Sequence, residues 1–409
     1  MADIRRVYLD HSATTPIDRR VLDEMLPYLT EKIGNPSSVH FFGQEARAAV
    51  DRARREVAAL IGARPNEIVF TSGGTEANNL AIKGICYAIT PQSGSSSPPH
   101  LITSAIEHPS TRGTIDELEK CGWAVTRLPV YEDGIVRTAD VRSALRPETV
   151  LISIMLANNE IGTLQPVEEI ASIVKEARAA GQRQLWLHTD AVQAVGRVPL
   201  DVEKLGCDLL SLSGHKLYGP KGIGALFVRR GVRLAPQSVG GHQEREKRAG
   251  TENVPGIVAL GAAARLARLE LDARADHDRN LRDRFEAGVS EVVGDLVFNG
   301  NSERRLPNLS NISFRFIEGE GLLISLDLQS IAVSTGSACS SGTLEPSPVI
   351  QALGRTDEVA RGSIRFSFGK DNTEEDVDYV LKVLPQVVDR LRQLSPLNKD
   401  RVLESAVVD

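Results

Sequence analysis

Short apolar runs, each closed by a polar or glycine-bearing turn, recur along most of this chain. They are Glu67-Ile68-Val69-Phe70, Val150-Leu151-Ile152-Ser153-Ile154-Met155, Leu185-Trp186-Leu187-His188, Cys207-Asp208-Leu209-Leu210-Ser211-Leu212 and Gly224-Ala225-Leu226-Phe227-Val228. Segments of helical periodicity lie between them. The alternation predicts an α/β fold with a mainly parallel sheet. Because the runs are apolar almost throughout, helices are expected to cover both faces of that sheet. A charged helical pattern from about 258 to 293 is expected to carry the chain from a large domain to a small one. Shorter strands, at 311–314 and 363–367, then alternate with helices before a polar tail. The stretch 91–99, rich in Pro and Ser, cannot bury apolar area and is expected to be a flexible surface loop.

Length and composition narrow this picture without adding chemistry. A chain of 409 residues exceeds one compact core, which supports two domains. With 41% hydrophobic and 25% charged residues, it has the composition of a soluble globular protein. A net charge of -6 gives no sign of a nucleic-acid or membrane surface. The N-terminus has no apolar signal core, so the protein is expected to stay in the cytoplasm where it is made. Four scattered cysteines (Cys86, Cys121, Cys207, Cys339) include no CxxC pair, so neither a disulfide scaffold nor a metal site is expected.

Chemically loaded residues follow several of the strands, and ligands of open α/β sheets bind at the carboxyl ends of strands. Thr71-Ser72-Gly73-Gly74-Thr75-Glu76 follows one strand and opens a helical run. Free amides at Gly74, the helix dipole and the Thr75 hydroxyl together suit a phosphate. A plain N-capped helix accounts for the segment equally well when it is taken alone. In Ser213-Gly214-His215-Lys216, a lysine placed straight after a strand and a glycine turn points into the pocket. Lysine forms Schiff bases with carbonyl cofactors. Ser213 and His215 are placed to bond a phosphate. The competing reading is a surface lysine in a Gly-Pro loop.

Asp190, at a strand end, suits a protonated pyridine nitrogen, with Gln193 in reach of a ring hydroxyl; a helix cap is the alternative for Asp190. His108, held in a turn by Pro109, can stack on an aromatic ring and move protons, or be a satisfied structural histidine. Cys339 sits in a small, polar, Gly-rich stretch expected to be mobile and exposed, which suits a travelling nucleophile or an incidental thiol. Cys86 and Cys207, in apolar surroundings, are expected in the core. Arg365, between Ile364 and Phe366 on a strand, suits a bidentate carboxylate clamp or an ordinary strand-edge salt bridge.

Taken together, these motifs resemble the cysteine desulfurases of the class V aminotransferase family. The match runs from Tyr8-Leu9-Asp10-His11-Ser12-Ala13-Thr14-Thr15-Pro16 and Gly34-Asn35-Pro36 through Asn158-Asn159-Glu160-Ile161-Gly162 and Gly250-Thr251-Glu252-Asn253 to Gly336-Ser337-Ala338-Cys339 and Ser363-Ile364-Arg365-Phe366-Ser367. The resemblance implies fold type I with pyridoxal 5'-phosphate. A large cofactor-binding domain would span 16–262, and a smaller α+β domain carrying the cysteine loop would span 1–15 and 263–409. Lys216 would hold the cofactor, and Gly74, Thr75, Ser213 and His215 its phosphate, with Thr251 arriving from the other subunit of a homodimer. Asp190 would pair with the pyridine nitrogen, Gln193 with the ring oxygen, and His108 with the ring face. Asn35, Asn159 and Arg365 would contact the substrate carboxylate.

The implied reaction converts L-cysteine to alanine and leaves its sulfur as a persulfide on Cys339. An acceptor protein, either an iron–sulfur scaffold or a thiolation carrier, would receive it. A selenocysteine lyase, or an aminotransferase without a sulfur step, is the alternative on the same scaffold. A non-catalytic assembly partner is a further one, disfavoured by the retention of Lys216, Asp190, His108 and Arg365 together.

Overall fold

The structure, a computed structural model, describes residues 5–89, 97–335 and 345–397. Cys339, most of the Pro- and Ser-rich stretch and the tail past 397 lie outside the described residues.

A seven-stranded sheet forms the centre. Its strands are β2 (Ile68–Thr71), β3 (His100–Ser104), β4 (Ala124–Leu128), β5 (Thr149–Ser153), β6 (Trp186–Asp190), β7 (Leu209–Ser213) and β8 (Gly224–Val228), in the order β2-β8-β7-β6-β5-β3-β4. Pairings from β7 to β4 are parallel, whereas β8 runs antiparallel to both β7 and β2. The mixed α/β architecture with a mostly parallel sheet is the one expected from the sequence. Each residue of β2, β3, β5, β7 and β8 is buried, which is why apolar residues fill consecutive positions in these strands rather than alternating with exposed polar ones. One core cluster packs Ile68, Ile102, Ile152 and Phe227 against the helices Phe41–Leu60 and Val254–Leu269. A second, built on Leu101, Leu151, Leu209 and Leu226, packs on the helix Gly74–Ala88.

A separate core gathers β9 (Leu296–Phe298), β10 (Leu309–Phe314) and β12 (Ser363–Ser367), an antiparallel sheet in the order β12-β10-β9. Phe285, Phe314, Phe366 and Phe368 fill it, beside the helices Leu271–Val292 and Glu374–Leu394. The N-terminal segment joins this core too: β1 (Val7–Tyr8) pairs in parallel with β11 (Ile331–Ala332), and Leu9 is fully buried there.

The helical pattern at 258–293 forms two helices, Val254–Leu269 and Leu271–Val292, broken at Glu270. The first belongs to the core of the large sheet and the second to the smaller core. Cys86 and Cys207 are buried and Cys121 is exposed, as their neighbours suggest. Among the described residues no helix is long and apolar enough to cross a membrane.

Candidate active site

A cleft of about 340 Å³ opens at the carboxyl ends of β2, β3, β5, β6 and β7. It collects most of the residues singled out in the sequence: Gly74, Thr75, His108, Asn159, Asp190, Gln193, Ser213, His215, Lys216 and Arg365. Two others are elsewhere. Asn35 is exposed and turns its carboxamide back to accept from the Ser37 amide at 2.9 Å, and Thr251 is exposed on another loop; neither lines this cleft.

At one end, the helix Gly74–Ala88 aims its N-terminus into the cleft. No side chain caps it, so its first amides are available to a ligand. Gly74 is a glycine for a steric reason: a Cβ there would come within 2.8 Å of Val192 Cγ2 and 3.6 Å of Ser213 Cβ. Removing that Cβ lets the backbone approach whatever the helix binds. Ser213 and His215 line the same end. Burial, then the Lys216 and Lys221 charges, push His215 down to about 4, so its ring is neutral near pH 7.

Lys216 sits in the single helical turn Gly214–Lys216 that closes β7. Its amine nitrogen donates to the backbone carbonyls of Ser12 and, at 2.6 Å, Ala13. Both belong to the N-terminal segment on its way out of the smaller core. The Gln193 Nε2 donates to the same Ser12 carbonyl at 2.9 Å, while the buried Gln193 Oε1 has no partner among the described residues. One hydrogen-bonding group of that amide is therefore left for a ligand.

Asp190 ends β6. Its Oδ1 accepts from the Val192 amide at 2.9 Å and its Oδ2 from Asn78 Nδ2 at 2.6 Å. No helix follows, so the carboxylate is not a helix cap. Asn78 also donates to Ser110 Oγ at 2.8 Å, and Ser110 Oγ lies 2.8 Å from His108 Nδ1. The Ser110 amide donates to that same Nδ1 at 3.1 Å, which makes Nδ1 the acceptor and places the neutral ring's proton on Nε2. Burial, against the pull of Asp190, lowers the His108 pKa, with Lys216, Arg112 and Arg365 adding to the fall. Beneath lies Glu107, fully buried and pushed up to about 8 by burial. Its Oε1 accepts from Ser104 Oγ at 2.6 Å and the Met155 amide at 3.0 Å.

Across the cleft, Arg365 projects from the middle of β12. Its Nη1 donates to the Asn159 carbonyl at 2.9 Å, its Nη2 pairs with Asp10 at 2.8 Å, and its Nε has no partner among the described residues. The backbone of Arg365 also bonds Ser334 in both directions, at 2.7 and 3.2 Å. On the far side of residues 336–344, Ser347 caps the helix Pro348–Ala352 and donates to the buried Glu160 at 2.5 Å. Both ends of the segment that contains Cys339 are thus fastened beside the cleft.

Sequence reasoning missed Asn78, Ser110 and the Ser12 and Ala13 carbonyls. Asn78 carried a usable signal, since it stands one helical turn after Gly74 and so shares its face. Main-chain acceptors carry none.

The donor set fits pyridoxal 5'-phosphate: an uncapped helix start and a steric glycine for a phosphate, a buried carboxylate for a ring nitrogen, a free amide group for a ring oxygen, and a lysine amine between them. A match to known proteins agrees. The family model for aminotransferase class V matches residues 7–380. A cysteine desulfurase IscS from Dictyoglomus turgidum is 49% identical over 396 residues, covering 97% of this chain and 98% of that protein. A solved NifS-like protein superposes with a TM-score of 0.87 at 38% identity, over 95% of this chain and 100% of its own. SspA, solved in complex with cysteine, gives 0.77 at 35% identity, over 90% of this chain and 100% of its own. With its fold, its cleft and these likenesses in agreement, this chain belongs to the class V aminotransferase family.

Proposed function

We propose that this protein is a pyridoxal 5'-phosphate-dependent cysteine desulfurase that takes sulfur from L-cysteine and passes it from Cys339 to an acceptor protein. The observation that carries the reading is the single cleft in which Lys216, Asp190, His108 and the Gly74 helix start face Arg365, with both ends of the Cys339 segment anchored at its rim.

The helix start at Gly74 and Thr75, with Ser213 and His215, would hold the cofactor phosphate. Asp190 would pair with the ring nitrogen, Gln193 with the ring oxygen, and His108 would lie against the ring. When bound, the cofactor supplies an electron sink for charge left on a substrate carbon. Arg365 and Asn159 orient the substrate carboxylate, and Asn35 is the third contact of this reading. Lys216 Nζ, held on the Ser12 and Ala13 carbonyls, takes the proton from the substrate α-carbon and returns it. The Cys339 thiolate attacks the substrate sulfur: the S–S bond forms, the C–S bond breaks, and the electron pair stays with the carbon skeleton, which takes up a proton before it is released as alanine. Cys339 is five residues beyond Ser334, a separation that full extension could stretch to about 17 Å.

A homodimer belongs to this reading. Thr251 is exposed and does not line its own cleft, and Ile33, Val39, Phe41 and Phe42 present apolar side chains on the surface. An iron–sulfur scaffold or a thiolation carrier is the acceptor, and the cytoplasm is the site of action.

Cys339→Ser tests the reading. Cofactor colour should persist, while persulfide on the protein and alanine release from cysteine disappear. Sulfide release from cysteine at the wild-type rate would overturn the relay. A lyase that prefers selenocysteine would reveal itself by keeping activity on selenocysteine in this variant.

A further inference from the structure

Glu244, Arg245 and Glu246 have φ values of 45°, 56° and 64°, three successive non-glycine residues in left-handed backbone. Such a run persists only where its surroundings over-determine it. Here they do. The buried Glu244 carboxylate is held by both Nη atoms of Arg54, at 2.7 and 2.8 Å, and by the Phe70 amide at 3.0 Å. Arg54 in turn stacks on the Phe70 ring, 4.5 Å from its centre. Arg245 reaches the Ile68 carbonyl at 3.1 Å. Each of these anchors is on β2 or on the helix Phe41–Leu60 beside it.

The loop is tied again further on. Arg248 Nε donates to Glu76 Oε1 at 2.9 Å, and Glu76 Oε2 accepts from the Ser72 amide at 2.7 Å. Glu76 therefore joins two things: the Ser72–Thr75 turn that forms the phosphate cradle, and the loop that leads to Thr251. Just past Thr251, the Glu252 side chain is almost fully buried between Arg47, at 3.7 Å, and Arg54, at 4.0 Å. Thr251 is bracketed by two ion-paired anchors, yet is itself exposed.

We infer that Glu76 and Arg248 are positioning residues that couple the phosphate cradle of one protomer to the Thr251 loop it offers to a second copy of the chain. The inference rests on the homodimer reading above. A loop meant only to cover its own surface needs no strained turn with paired fixings on the cradle strand. A loop that must hold one exposed hydroxyl in register for another molecule does. Any shift of the helix start on phosphate binding would be passed through the Glu76 carboxylate to Arg248, and so to Thr251.

Mixed dimers of two differently tagged chains test this. One chain carries Lys216→Ala, so the visible absorbance of lysine-bound cofactor reports only the site of the other. Its rate of loss on dilution is the readout. Glu76→Gln placed in the Lys216→Ala chain should speed cofactor loss from the other chain's site about tenfold, and Arg248→Gln in the same place should do likewise. The two substitutions together should add little, because they break one link. An effect seen only when Glu76→Gln is in the reporting chain, or in neither arrangement, would overturn the coupling. If the two tags do not purify together, the homodimer reading falls and the coupling with it, an outcome distinct from a purely local effect.

Discussion

The two sheets contribute to the cleft in different ways. The seven-stranded sheet offers residues that follow its strands: Asp190 ends β6, Ser213 ends β7, Lys216 comes one turn later, and His108 caps the helix after β3. The three-stranded sheet offers Arg365 from the middle of β12, with its backbone paired on one side to β10 and on the other to Ser334. A residue just past a strand can be aimed by a turn without disturbing the sheet. A residue inside a strand is fixed by the pleat, so its reach depends on how the two cores dock. On the function proposed above, the large sheet would build the reactive centre, and the small one would hold the substrate against it.

Three measurements can break or sharpen that contrast. Lys216→Ala should have the largest effect: alanine formation should fall by at least roughly 10⁴-fold, and excess cysteine should not restore it. Arg365→Lys should be milder and of another kind. Losing the planar fork should raise the KM for cysteine by roughly 10–100-fold with a much smaller change in kcat. A fall in kcat as deep as that of the lysine variant would erase the division of labour.

The third concerns stability rather than turnover, and compares two buried groups of the large sheet. His188 is held between Ser153 Oγ, at 2.8 Å, and Ser211 Oγ, at 3.0 Å, and burial pushes it down to about 3. A depressed histidine favours the fold above its ordinary pKa near 6.5, and that advantage is lost as pH falls. Glu107 has the opposite sign. Raised to about 8, it favours the fold below the ordinary carboxyl range, and that advantage is lost as pH rises through 8. Glu107→Gln, which keeps a neutral group, should therefore gain stability relative to the parent between pH 5 and pH 8, on the order of 2 kcal/mol in urea unfolding. A pH-independent difference would show that Glu107 does not titrate in this range.

The contrast between the sheets also explains what could be read in the sequence. Continuous apolar runs disclosed β2, β5, β6, β7 and β8 to within a residue or two, though not the buried β3, and the polar residues after them disclosed the cofactor side of the cleft. β4 escaped, because it is an edge strand with Arg127 exposed in it and has no continuous run. The break at Glu270 also escaped. Leu269-Glu270-Leu271-Asp272 contains neither glycine nor proline, and Glu270 is held at the break by one distant partner, Arg20 at 2.5 Å, beside Arg274 of the next helical turn at 2.6 Å. For Arg365 the residue was legible but its partners were not. Asp10 and Asn159 lie far off in the chain, and only the docking of the two cores brings them together.

The two carbonyls that receive the Lys216 amine have a consequence for genetics. Ser12 and Ala13 contribute oxygens of the main chain, which every amino acid carries. A substitution scan across the gene would score those positions by the fit of their side chains and would miss their hold on the lysine. Replacing the amide that follows either carbonyl with an ester, which weakens the acceptor and leaves the side chains alone, would expose it.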